Sequence, residues 1–221
     1  MDTSVGRPDA NWSRRFGGWL LVGATVVMAA GATIPFVSPS LRDAPWSDVW
    51  DELARGIAGN PVAWRWANAL FLAAAVLTAF GLAALSTTFA GRARVLGLMG
   101  GLAFGIAAAL SAIDRTIAIA VAPWAAAEGL ASSDPTVQAF IRMDEGLSLL
   151  FFILGFASVI LFGIAMVVAG SGDAGAGRVV AAIGGLGIVV AVVGFAIPAF
   201  VYLATATIGL LALLGRGRVP V

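Results

Sequence analysis

From Val179 to Gly215 the sequence carries no charged residue. As one helix rising 1.5 Å per residue, that stretch would run about 55 Å, nearly twice a hydrocarbon core of about 30 Å. Other long uncharged runs precede it: Phe16 to Leu41, Trp66 to Gly91, Gly146 to Gly172, and Val95 to Ile113, the last continuing past Asp114 and Arg115 to about Ala122. Asp or Arg at a helix centre costs about 2.5 to 3.5 kcal/mol on insertion scales, so the places without charge count the membrane spans. Composition agrees. Of 221 residues, 60% are hydrophobic and only 11% charged, against roughly 25% charged in a soluble domain.

These runs predict an all-α, polytopic transmembrane helix bundle of six spans, a single membrane domain over 1–221, with spans near 16–37, 64–85, 95–122, 146–169, 179–196 and 199–214. The tail divides near Gly194 to Pro198, because proline lacks a donor and clashes with the preceding turn. Ala196-Ile197-Pro198-Ala199 offers no Asn, Asp or Ser for a polar turn, so one kinked helix is the alternative. Charge asymmetry favours division. With six spans, Arg7, Arg14, Arg15, Arg92, Arg94, Arg178, Arg216 and Arg218 fall on one side. Arg42, Arg55, Arg65 and Arg142 fall on the other, beside eight acids. Both termini are then cytoplasmic and the membrane is the inner, plasma membrane. Every basic residue is Arg and none is Lys, which with so much Ala and Gly reads as a GC-rich bacterial genome. Arg14-Arg15, an apolar stretch and Ala30-Gly31-Ala32 together resemble a cleavable signal. The stretch continues to Val37, longer than a signal needs, and is expected to stay as the first span.

Two outer loops carry structure. Trp46, Val49, Trp50, Leu53 and Ile57 recur at helical spacing, with Asp48, Asp51, Glu52 and Arg55 on the other faces, which predicts an amphipathic helix near 45–58. Asp43 before Pro45 starts it and Gly59-Asn60-Pro61 stops it. Its tryptophans suit the outer surface or a cap over the bundle, as a plain lid or as a gate. Ser133-Asp134-Pro135 starts a helix that runs unbroken into the fourth span, for about 50 Å in all.

Without His or Cys, the common ligands for zinc, copper and iron–sulfur clusters are missing, as are disulfides and the Ser-His-Asp triad. No cofactor and no metal is expected. A net charge of +1 without a basic patch gives no case for nucleic acid. The chain is not expected to be an enzyme, because only Ser111, three residues before Asp114, could serve as nucleophile and nothing activates it.

Asp114 and Arg115 are the charges that periodicity places inside a span, where ionisable groups face the bundle interior and a partner. At the same outer level, Arg65 and Asn68 open the second span and Asp144 with Glu145 open the fourth. These six are the candidate ligand-binding residues. Arg115 is expected to pair with Asp144 or Glu145, and Asp114 with Arg65 or Arg142. One reading makes them salt bridges that set helix register, in a structural or accessory protein. The other makes an outward-facing pocket that binds or transports a small amphipathic or anionic ligand, with Arg115 or Arg65 on a headgroup or carboxylate. Gly97, Gly101 and Gly105 form a small-residue ridge on the third span, and glycines crowd the fifth. Such ridges pack helices within the chain or against a second copy in a homodimer.

The arginines before the first span, the outer loop leading into the second, Asp114-Arg115-Thr116 in the third and Met143-Asp144-Glu145-Gly146 before the fourth together resemble a family of uncharacterised bacterial integral membrane proteins, defined as a domain of unknown function. The resemblance covers roughly Trp12 to Leu214. It implies a multi-spanning membrane protein and brings no catalytic residues.

Overall fold

The computed structural model describes residues 8–33, 46–170, 174–193 and 198–214. Ile34 to Val37, the Asp43 start of the amphipathic helix, the division at Gly194 to Ile197, and Arg216 and Arg218 lie outside these. Among the described residues every element is a helix: α1 (Pro8–Thr33), α2 (Trp46–Gly59), α3 (Pro61–Ser86), α4 (Gly91–Ala127), α5 (Pro135–Val168), α6 (Ala174–Val192) and α7 (Pro198–Leu213). Five of them, α1, α3, α4, α5 and α6, are long and apolar enough to cross a membrane. The chain is a multi-pass membrane helix bundle. α7 is equally apolar but its 16 residues reach only about 24 Å.

Helix boundaries follow local chemistry. Asn60 ends α2 and caps α3, its side chain accepting from the Ala63 amide at 3.1 Å, with Pro61 in the first turn. Asp134 caps α5 in the same way through the Thr136 amide at 2.8 Å, followed by Pro135. α4 is 37 residues long, longer than the expected span at both ends, and stops at Gly129. There a φ of +67° lets the Leu130 amide reach back to the Ala125 carbonyl at 3.0 Å, a closure that favours glycine.

Neighbouring helices run antiparallel, as glycine contacts show. Gly17 meets Gly81 between α1 and α3, Gly100 meets Phe162 between α4 and α5, Gly163 meets Ala181 between α5 and α6, and Gly18 meets Gly209 between α1 and α7. The ring order is α7, α1, α3, α4, α5, α6, and α6 touches α7 only lightly. Between those two opens an apolar groove of about 290 Å³ walled by Phe156, Leu186, Val190, Phe200 and Leu203. On the third span, Gly97 faces Phe89 and Ser86, and Gly101 faces Ala83, whereas Gly105 has open space. The first two glycines of the ridge therefore pack within the chain.

Two apolar cores stack along the bundle axis. The larger includes Leu21, Leu82, Phe104, Phe151, Phe156, Phe162 and Val201. The smaller lies at the far ends of α3, α4 and α5, where Trp50, Leu53 and Ile57 of α2 pack on Trp64, Ala118, Ala122, Val137 and Phe140. The amphipathic helix thus caps the bundle.

Candidate functional site

Between the two cores lies a polar layer. On α3 it falls at Asn68, between Trp64 and Ala74. On α4 it spans Ser111 to Arg115, between Ala108 and Ala118, and on α5 Asp144 to Ser148, between Ile141 and Phe151. Each set keeps helical spacing: 111, 114 and 115 share a face of α4, and 144 and 148 a face of α5. Asn68, Asp114 and Asp144 are 1%, 3% and 7% exposed.

The Arg115 guanidinium gathers the layer. It is paired with Asp114, reaches Asp144 at 3.2 Å and donates to the Asn68 side-chain oxygen at 3.1 Å. Asn68 in turn donates to the Trp64 carbonyl at 3.0 Å. One side chain of α4 therefore ties α3 and α5. The expected Arg115–Asp144 pair is present. The expected partners of Asp114 are not: Arg65 and Arg142 are exposed, and Asp114 pairs with its own neighbour instead. Glu145 is exposed as well. Four of the six candidate residues meet, while Arg65 and Glu145 stay at the surface. The reason is rotation. Each is one residue, about 100° of helix, from an inward-facing group, and at this height a charged side chain reaches water cheaply.

The height is marked independently. Asn68 lies about 27 Å along α3 from Ser86, close to the thickness of a hydrocarbon core. Trp66 is 62% exposed beside it, and exposed tryptophans favour the membrane–water boundary. The polar layer thus sits near one face of the membrane, with the α2 cap beyond it.

Beside the arginine is a cavity of about 60 Å³. Its polar lining is Asp114, Arg115, Ser111, Ser148 and Tyr202, and Phe71, Phe151 and Phe152 form the apolar walls. Tyr202 comes from α7. Its carbonyl accepts from Thr25 of α1 at 2.9 Å and from Thr205 at 3.0 Å, and its ring lies 6.2 Å from that of Phe151. Nothing in the sequence says which helices flank α7, so the place of the tail's only tyrosine beside this cavity was not legible in it. Ser148 was legible only through its i+4 spacing from Asp144. Among the described residues no group of His, Cys, Asp and Glu could hold a metal through three such ligands.

Compared with family models, curated proteins and solved structures, the chain matches none.

Proposed function

We propose that the chain is a plasma-membrane protein of six passes with both termini cytoplasmic, of the kind its family resemblance implies, and that it works as a structural or accessory component, not an enzyme. The observation carrying this reading is the closed set of bonds around Arg115: three helices contribute Asp114, Asp144 and Asn68 to one guanidinium. A guanidinium so engaged serves poorly as an anion receptor, because an incoming carboxylate or headgroup must displace two carboxylates already there. The cavity argues the same way, since about 60 Å³ holds only about four waters, well short of an amphipathic ligand. Gly97 and Gly101, already packed on α3, support use of that ridge within the chain over a homodimer seam. Arg14, Arg15, Arg92, Arg94 and Arg178, all at helix ends opposite the cap, support a cytoplasmic assignment for that end.

In this reading Arg115 is a clasp that fixes the register of α3, α4 and α5 under the α2 cap. The test compares wild type with Arg115→Met in mild detergent, following thermal unfolding and the lipids and metabolites that copurify. A lowered melting temperature with an unchanged set of bound molecules is expected. Unchanged melting with loss of a bound anion would replace the clasp by a receptor.

A further inference from the structure

Most buried hydroxyls elsewhere in this bundle follow a common habit, from which Ser158, buried without a hydrogen-bond partner, departs. Thr78, Ser86, Thr205 and Thr207 donate to a carbonyl three or four residues back on their own helix, at 2.7 to 3.0 Å, as hydroxyls in membrane helices generally do. Ser111, Ser148 and Tyr202 depart from it. All three line the cavity beside the clasp, and their hydroxyls make no such bond to their own helix among the described residues. Tyr202 is 2% exposed, and it reaches this lining from α7. Three oxygens therefore converge on one small space beside the Asp114 carboxylate.

Charge points to what fills that space. With both carboxyl groups ionised, Asp114 and Asp144 bring two negative charges and Arg115 one positive. The nearest other charges, Arg65, Arg142 and Glu145, are exposed and face water. A net negative charge in a layer sealed by apolar cores on both sides is costly unless something of opposite sign joins it. The oxygens available, a carboxylate and three hydroxyls, form a hard donor set, and the Arg115 guanidinium in the same lining is engaged by the two carboxylates. One monovalent cation brings the layer to neutrality, and a divalent ion overshoots. The volume admits one such ion with a few waters, and the walls of Phe71, Phe151 and Phe152 leave no room for a bulky organic cation.

We propose that this cavity binds one alkali-metal cation, held by the Asp114 carboxylate and the hydroxyls of Ser111, Ser148 and Tyr202, with Arg115 keeping Asp144 as the second carboxylate of the site. The ion belongs to the same layer as the clasp and, because it touches Tyr202, draws α7 to α4 and α5. That goes beyond a salt bridge between three helices: bundle stability becomes dependent on the cation.

The test uses the whole protein in detergent, exchanged into N-methyl-D-glucamine chloride and titrated with NaCl or KCl at constant ionic strength. The melting temperature is expected to rise and saturate with Na⁺ or K⁺, because an ion that binds only the folded state stabilises it by mass action. Scintillation proximity with ²²Na⁺ should give one ion per chain. Tyr202→Phe and Ser148→Ala, which each remove one oxygen and little volume, should raise the half-saturating concentration about tenfold, as loss of a hydrogen-bonding group on a charged partner does. Asp144→Asn should abolish the dependence by removing the surplus charge. Equal melting in sodium, potassium and N-methyl-D-glucamine overturns the proposal and assigns neutrality to a bound proton. An alkali-ion response that survives unchanged in both Tyr202→Phe and Asp144→Asn overturns it too, by placing the ion elsewhere. The clasp is judged separately, by Arg115→Met at fixed salt.

Discussion

Removing the Arg115 guanidinium leaves Asp114 and Asp144 near one another with nothing between them. Arg115→Met is therefore expected to lower the unfolding free energy by about 3 to 5 kcal/mol, as breaking a buried ion pair does. Asp144→Asn keeps an oxygen for the guanidinium and sheds the surplus charge, so its cost should stay near about 1 kcal/mol. Unfolding in detergent, followed by circular dichroism, measures both, and equal losses would mean that the layer carries no surplus charge. Much of this cluster was legible. Ser111, Asp114 and Arg115 share a face by their spacing alone, and Asp144 opens a span within reach. Arg65 and Glu145 misled because a count of residues fixes height along a helix more firmly than rotation about it. Tyr202 remained obscure because it depends on which helix lies beside which, and a run of Ala, Leu and Thr says little about that.

At the scale of an element, α2 shows a sequence pattern turning into a docking surface. Trp50, Leu53 and Ile57 lie at helical spacing and are all but fully buried. The Trp50 indole donates to the Leu130 carbonyl at 2.9 Å, and that carbonyl is placed by the turn at Gly129. Trp64 repeats the device below it, donating to the Ala118 carbonyl at 2.8 Å. Trp50→Phe should cost about 1 kcal/mol for the lost bond, and Trp50→Ala about 3 to 5 kcal/mol because it also empties the small core. Limited proteolysis of the segment from Glu128 to Asp134 reads out the cap. Cutting should be slow in wild type, faster in Trp50→Ala, and faster too in Gly129→Ala, where an L side chain at φ +67° costs about 1 to 2 kcal/mol. The amphipathic pattern, its stop at Gly59-Asn60-Pro61 and the helix start at Asp134 were readable beforehand. That α4 continues past Asp114 and Arg115 was readable too, but that it runs on through Pro123 to Ala127 was not, because a proline ordinarily marks a helix end.

For the whole molecule, the question is the last helix. Reporter fusions at Ala174 and after the C-terminal residue should both report the cytoplasmic side if α6 and α7 each cross, whereas a single crossing puts the second reporter outside. The α1–α7 contact supplies a matching stability test. Gly209 has the Gly18 carbonyl within 2.9 Å of where a Cβ would stand, while Gly23 on the same pair's outer face has nothing within 4 Å. Gly209→Leu should cost about 1 to 3 kcal/mol by overpacking, and Gly23→Ala should cost nothing and gain a few tenths in helix propensity. The charge-free tail pointed to two helices through its excess length and its proline, and α6 and α7 are two separate helices. It did not announce that the final helix would lie against the first. That placement has a consequence for synthesis. Thr25 and Tyr202 are 177 residues apart, so at about 5 to 20 residues per second the ribosome delivers the second about 10 to 35 seconds after the first. Through that interval the glycine flank of α1 waits against acyl chains, and the chamber around Arg115 lacks its fourth wall until Tyr202 arrives.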